Sequence, residues 1–491
     1  MAPHDPSAAR DVDVAIVGTG FSGLCTAILL KQAGVGSFVL LEKAAGVGGT
    51  WRDNSYPGAA CDVPSHLYSF SFEPNPQWSR AFSEQREILA YLEHCADKYA
   101  VRPYIRFGSE VVHARFDAAS GRWHLRTRDG HELRARALVL GNGALHRPAY
   151  PEIPGLDTFA GAVFHSARWD HGYDLSQRTV GVIGTGASAI QFVPRIAPVV
   201  RRLHLFQRTP PWIIPKPDHA IGDVAHALYA RVPALQGLVR AGIYWRLEAR
   251  ALGFMRPGLL RLAEPLARRY LAASVADPAL RARLTPDYRM GCKRILLSND
   301  YYPALQRDNV ELVTDRITAI EPTGVRTCDG RLREVDALLL GTGFSVTEYL
   351  SAIEIVGPDG RELNAEWRGD PQTYLGITVA GFPNLFLMMG PNTGLGHNSM
   401  IFMIEAQARY AVQAIRALRD QGLRALDVRP EVQSAFVAEM RAKLGRSVWS
   451  SGCKSWYQNA EGRASALWPG FTVAYWLRTR TLDLRDYRQV A

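Results

Sequence analysis

Two glycine-rich turns constrain this chain more than any other feature, because the position that carries an acid after the first carries an arginine after the second. The first turn reads Gly18-Thr19-Gly20-Phe21-Ser22-Gly23, after an apolar run from Val12 to Val17 and before a helical stretch from Leu24 to Gln32. Glycines there allow a tight turn and close backbone approach, and the N–H groups at the start of the helix favour a pyrophosphate. The next apolar run, Ser37 to Leu41, ends in Glu42, 24 residues beyond Gly18. A carboxylate near that offset suits a ribose diol.

The second turn, Gly184-Thr185-Gly186-Ala187-Ser188-Ala189, lies between the run Thr179 to Ile183 and the stretch Ile190 to Ile196. The same 24-residue count from Gly184 lands on Arg208, in Gln207-Arg208-Thr209. A carboxylate repels a 2′-phosphate and a guanidinium pairs with it, so the second site is expected to select NADPH over NADH.

The composition, 47% hydrophobic and 21% charged over 491 residues, supports two or three domains with sizeable cores. The net charge of +10 raises nucleic acid as a partner, but the basic residues are dispersed and no binding signature accompanies them, so none is expected. The six cysteines form no CxxC, which argues against a disulfide framework, a metal knuckle or a dithiol reductase, and points to inert thiols in a reducing compartment. The leader Met1 to Arg10 lacks the charge and apolar pattern of a secretory signal, and no apolar stretch reaches membrane-spanning length, so a cytoplasmic protein is expected. Residues 223–271 read as amphipathic, arginine-rich helices. They are expected to form an insertion with its apolar stripe on its own domain, without peripheral membrane contact.

The fold expected is α/β, with two Rossmann-like dinucleotide-binding domains, the second inserted in the first. The first domain would take residues 1–150 and 346–491, ending in a lid-like segment. The second would take 151–345, with the helical insertion at about 220–290. A Pro-rich stretch, Arg147-Pro148 to Gly155, marks the exit from the first, and a helix is expected over Met400 to Arg416.

Between the two turns lies Phe159-x-Gly161-x-x-x-His165-x-x-x-Trp169-Asp170. With the flanking turns, Gly48-Gly49-Thr50-Trp51, Tyr56 to Asp62, Gly291-Cys292-Lys293-Arg294 and Gly341-Thr342-Gly343-Phe344, this string resembles the fingerprint of type I Baeyer–Villiger monooxygenases, within the flavin-containing monooxygenase superfamily. The resemblance runs over nearly the whole chain. The residues Arg52-Asp53-Asn54 stand where many relatives place aromatics.

The resemblance implies an oxidoreductase that uses FAD, NADPH and O2 to convert a ketone to an ester or lactone through a C4a-peroxyflavin, with side activity on sulfides. By position Arg294 matches the catalytic arginine and Asp62 the carboxylate that holds it. Such a site needs a fixed cation, and arginine stays charged at any working pH. Lys293 matches a partner of the NADPH 2′-phosphate, alongside Arg208 and Thr209. The FAD side is expected to include Lys43, Gly49, Thr50, Trp51, Asp62 and Tyr68 with the first turn and Glu42. Gly184, Thr185, Gly186 and Ser188 of the second turn, with Gln191, Gly341 and Thr342, are expected to bind cofactor as well. His165 and Trp169 are read as domain-junction residues, and Trp456, in Cys453-Lys454-Ser455-Trp456-Tyr457, as a lid residue touching cofactor. An N- or S-oxygenating flavoenzyme and a non-catalytic nucleotide-binding flavoprotein are the competing readings. The ketone and the oligomeric state are not encoded in any spacing.

Overall fold

The computed structural model describes residues 11–346, 350–453, 455, 457–459 and 461–491. Its largest sheet has eight strands. In spatial order they are Glu354–Val356, Val111–Asp117, Arg122–Thr127, Glu132–Leu140, Asp11–Val17, Phe38–Leu41 and Ile105–Arg106, with Leu385–Leu387 also pairing to Glu132–Leu140. The central strand Asp11–Val17 is parallel to both of its neighbours. Both of its faces are covered, which is why Val14, Ala15 and Ile16 follow one another without a polar residue.

The first glycine turn delivers this strand into the helix Phe21–Gln32, which packs against the helix Met400–Asp420. The later helix starts at Ser399, whose hydroxyl accepts from the Ile401 N–H at 3.3 Å. It runs four residues beyond Arg416 because Leu418, fully buried, continues its inner face. Two segments distant in sequence thus share one core, so the sheet is completed only by the return of the chain after residue 354.

Residues between those two passages build a second, five-stranded sheet, in the order Val310–Val313, Arg202–Phe206, Thr179–Ile183, Ala337–Leu340 and Ala162–His165, with every pairing parallel. The strands Thr179–Ile183 and Ala337–Leu340 are wholly buried. The architecture is therefore α/β with two dinucleotide-type sheets.

Six helices from Asp223–Arg231 to Pro278–Arg283 form the insertion. Its expected apolar stripe is only partly turned inward. Leu247, Ala251, Phe254 and Leu271 are buried, whereas Leu238 is 70% and Trp245 59% exposed. The longest helix, Pro233–Glu248, buries the polar pair Gln236 and Glu248 as well, because each finds partners. The chain crosses between the sheets twice, near 147–149 and 342–345, and the crossings run side by side. The Ala149 N–H donates to Gly343 O at 2.9 Å, the Ser345 N–H to Arg147 O at 3.0 Å, and the Thr342 hydroxyl to Ala149 O at 2.6 Å. Among the described residues no helix is long and apolar enough to cross a membrane, and no cluster of three or more His, Cys, Asp or Glu could hold a metal ion.

Candidate functional site

Each glycine turn is built as an anion-binding turn requires. Gly18 sits at φ +94°, and a Cβ on Gly23 would lie 1.9 Å from Gly18 O, so no larger residue fits where the strand meets the helix. Gly20 caps the helix with bare backbone, and the first helical turn carries no acid. That leaves donors and a positive dipole end for a pyrophosphate. Gly49 backs onto Gly20, where a Cβ would stand 3.1 Å from the Gly20 Cα. Thr50 and Trp51 open the short helix Thr50–Asp53, and the Trp51 indole donates to the Tyr68 hydroxyl at 3.2 Å. Tyr68 in turn meets Phe21 edge-on at 5.3 Å. Ser22 is buried and Lys43 exposed.

Glu42 is buried at the end of its strand. One carboxylate oxygen accepts from the Thr19 N–H at 3.0 Å and hydroxyl at 2.7 Å, and the other from the Ala44 N–H at 3.0 Å, with Arg52 paired to it at 3.2 Å. These four contacts fill the acceptor sites of a carboxylate. Arg52 is the only one of the three partners that holds it with a long, flexible side chain, and so the one a ribose diol could displace.

In the second turn Gly184 lies at φ +108°, and a Cβ there would come 2.4 Å from Gly341 O. The Thr185 hydroxyl donates to Thr209 O at 3.1 Å, bracing the turn against the segment that carries Arg208. A side chain on Gly186 would meet nothing within 4 Å, so the approach is open. Ser188 stands at the N-cap of the helix Ala189–Ile196. Arg208 is exposed, and Lys293 stands close enough that burial, and then the Arg208 charge, lower its ammonium below the ordinary lysine range. Two cations held near one another suit a phosphate. The Lys293 ammonium also lies 4.8 Å over the Tyr288 ring.

Gln191, expected at the cofactor, bridges the two units. Its amide donates to Ala60 O at 2.9 Å, and its carbonyl accepts from the Tyr56 hydroxyl at 2.9 Å and the Ala60 N–H at 3.3 Å. Both ends of the side chain are engaged in joining the second unit to the 56–60 loop of the first. Sequence spacing holds no sign of this.

Arg294 and Asp62, 232 positions apart, come into direct contact. The guanidinium donates from Nε at 2.8 Å and from Nη2 at 2.6 Å, both to Asp62 Oδ2. The Asp62 charge raises the guanidinium pKa against the opposing effect of burial, so Arg294 is a permanent cation. Tyr457 is wholly buried, which raises its phenol pKa, and the Arg294 charge opposes that rise. The sequence reading gave Tyr457 no role, since no local pattern links it to Arg294. Its neighbour Trp456, the expected lid residue, lies outside the described residues.

The fingerprint lies along the edge strand Ala162–His165 and the turn after it. Phe159 packs into an apolar cluster, and a Cβ on Gly161 would sit 2.4 Å from Asp336 O. His165 is fully buried, with Nδ1 accepting from the Ala167 N–H at 3.1 Å and its ring between Tyr150 and Phe344 at 5.7 and 5.8 Å. Burial lowers its pKa to about 4. Tyr150 follows one crossing and Phe344 belongs to the other, so the imidazole touches both. Trp169 meets Phe164 and Phe192, and Asp170 caps a turn at the Gly172 N–H.

The expectation of inert thiols needs correction at one pair. Cys292 and Cys453 are disulfide-bonded, with Cα atoms 6.2 Å apart. They are 161 residues apart and only the fold brings them together, beside Phe254, Trp449 and Tyr457. Cys25, Cys61 and Cys95 are buried free thiols, and Cys328 is exposed.

Comparison with known proteins places these features in a common setting. Residues 16–84 match the NAD(P)-binding Rossmann-like domain, and residues 64–206 match L-lysine 6-monooxygenase/L-ornithine 5-monooxygenase. A Baeyer–Villiger monooxygenase of Pseudomonas aeruginosa is 50% identical over 98% of this chain and 92% of its own. Another from Streptomyces coelicolor is 49% identical over 99% and 94%. Among solved structures, oxidized steroid monooxygenase bound to NADP is 32% identical with a TM-score of 0.88, covering 98% of this chain and all of its own. The OTEMO complex with FAD and NADP is 26% identical with a TM-score of 0.90 over the same shares.

Proposed function

The chain belongs to the Baeyer–Villiger monooxygenase family, NADPH- and O2-dependent flavoenzymes that insert one oxygen atom beside a ketone carbonyl, and we propose that Arg294, oriented by Asp62, is the group on which that insertion depends. When bound, FAD supplies the oxygen activation, after reduction by NADPH. The first turn, with Gly20 and Gly49 back to back, fits its pyrophosphate, and Glu42 its ribose once Arg52 moves aside. Trp51 and Tyr68 would line the ring system. The second turn would hold NADPH, with Arg208, Thr209 and Lys293 on the 2′-phosphate.

The observation that carries this reading is the Arg294–Asp62 contact. A permanent guanidinium stabilises negative charge on the attacking oxygen and on the carbonyl oxygen as it becomes tetrahedral, without giving up a proton. Asp62 fixes its direction, and a group held in place needs no rearrangement as the charge develops. Buried His165 accepts through Nδ1 from the chain beside it and couples the two units, and no proton-transfer role is given to it.

The substrate is a small-molecule ketone, with sulfides as minor substrates. We place the enzyme in the cytoplasm, without nucleic acid or membrane partners. The test is product mass after turnover with NADPH and 18O-labelled oxygen on a mixed panel of ketones, sulfides and amines. Labelled esters or lactones are expected, and exclusive S- or N-oxides would overturn the reading. Arg294→Ala should keep NADPH-driven flavin reduction and lose ester formation.

A further inference from the structure

The helical insertion is fastened to the returning part of the chain by a carboxylate placed where a helix disfavours one. Glu248 ends the helix Pro233–Glu248 and is buried. At a helix C-terminus the backbone dipole opposes a negative charge, and burial adds a desolvation cost. Donors from the two ends of the shared core offset both. The Asn398 amide donates to Oε2 at 2.7 Å and the Thr472 hydroxyl at 2.8 Å, while the Val473 N–H donates to Oε1 at 3.2 Å. The Thr472 hydroxyl has one proton and gives it to Glu248, so it accepts from the Tyr244 hydroxyl, one turn back on the same helix, at 2.9 Å.

Six residues beyond Glu248, Phe254 lies buried in the short helix Ala251–Met255. Its ring stacks on Trp449 with centroids 5.5 Å apart and stands 6.2 Å from the ring of His397, whose Nε2 is 3.6 Å from Glu248 Oε2. One corner of the Phe254 ring meets two glycines. A Cβ on Gly291 would lie 3.3 Å from Phe254 Cε1, and a Cβ on Gly396 would lie 3.2 Å from the same atom. Gly291 is three residues before Arg294, and Gly396 is three before Ser399, whose hydroxyl donates to Leu67 O at 3.3 Å beside Tyr68.

With no side chain at either glycine, the backbone of both stretches rests directly on a flat, rigid ring. Removing the ring leaves a void that close-packed neighbours fill only in part, and these two stretches are the neighbours free to shift. Resting on the role given to Arg294 above, we propose that Phe254 is a positioning residue for that arginine, a spacer against which the Gly291-to-Arg294 stretch and the loop before Met400 both rest, and that Glu248 holds the spacer in place.

The experiment compares Phe254→Ala, Phe254→Leu, Glu248→Gln and Arg294→Ala with the parent holoenzyme, each rate taken per bound flavin. In Phe254→Ala, flavin reduction by NADPH should stay within about twofold, because the coenzyme contacts are untouched. Ketone turnover should fall roughly ten- to a hundredfold, the scale of a misplacement approaching 1 Å, with KM little changed and more hydrogen peroxide released per NADPH. Phe254→Leu keeps most of the buried volume and so the fold, and should show the same split at smaller size. Glu248→Gln has one acceptor oxygen in place of two and turns its NH2 toward at least one of the three donors, so it should reproduce the split with the ring still present. A phenylalanine that only fills the core would lower melting temperature and flavin content and leave turnover and peroxide release per flavin as in the parent. That result in both Phe254 variants, with ester formation lost in Arg294→Ala, would overturn the positioning role and leave the role of Arg294 standing. Full coupling in Glu248→Gln beside uncoupled Phe254 variants would overturn the part given to Glu248. Ester formation retained in Arg294→Ala would instead remove the reading beneath both.

Discussion

Arg294 and Asp62 lie on loops 232 positions apart in the chain and meet through one carboxylate oxygen, at 2.8 and 2.6 Å. Their meeting makes the catalytic geometry depend on how the two units are placed. Asp62→Asn keeps the size of the side chain but removes the charge that directs the guanidinium. Ester formation should drop by about 10²-fold, the scale of a misplacement near 1 Å, while flavin reduction persists. Stopped-flow reduction and product yield measured on the same preparation separate the two steps.

Coenzyme choice is expected to rest on Arg208 and Lys293. Replacing either by Ala should raise the KM for NADPH by roughly ten- to a hundredfold, the range for a hydrogen bond to a charged group. The KM for NADH, which lacks the 2′-phosphate, should hardly change. Equal losses with both coenzymes would show that these cations do not read the phosphate.

Gln191→Ala probes the joint between the units. It removes three hydrogen bonds to Tyr56 and Ala60, so the melting temperature should fall, with a loss on the order of 1–3 kcal/mol. Affinity for NADP+ should fall much less, as measured by calorimetric titration.

Gly23→Ala is a test of the first turn. Its new methyl would stand 1.9 Å from Gly18 O, and only backbone movement can relieve that. The purified protein should be colourless or retain only a small fraction of its flavin, as read from the absorbance ratio.

Buried His165 makes stability depend on pH. The unfolded chain takes up a proton near 6.5, whereas the folded histidine does so only at about 4. Between those values the unfolded state binds more protons, so stability rises with pH through that window. The contribution is complete above about 6.5 and disappears as pH falls toward 4. His165→Gln should flatten melting temperature against pH over this interval, and an unchanged slope would assign it to other groups. His66, lowered by burial to about 4, acts in the same sense and remains in the variant.

The fold was largely legible because its signals are local. Each glycine turn, its following helix and the charge 24 residues on lie within one short stretch of sequence. Arg294 and Asp62 were reachable only through family resemblance, since 232 positions separate them and a Lys-Arg pair or a loop aspartate is ordinary by itself. Nothing local marks Cys292 for Cys453 or Gln191 for Ala60. In each of these the partner is chosen by tertiary packing. The insertion misled in another way. Its periodicity implied an inward stripe, but periodicity does not say which face turns inward, and Leu238 and Trp245 point to solvent.

The two inter-sheet crossings, laced to each other at Ala149–Gly343 and Arg147–Ser345, form a narrow two-ply ribbon. A ribbon of that kind flexes readily across its flat face but resists shear along its length, because sliding would rupture the lacing. The two nucleotide-binding halves are therefore joined at this place by a strap stiffer to shear than either crossing would be alone.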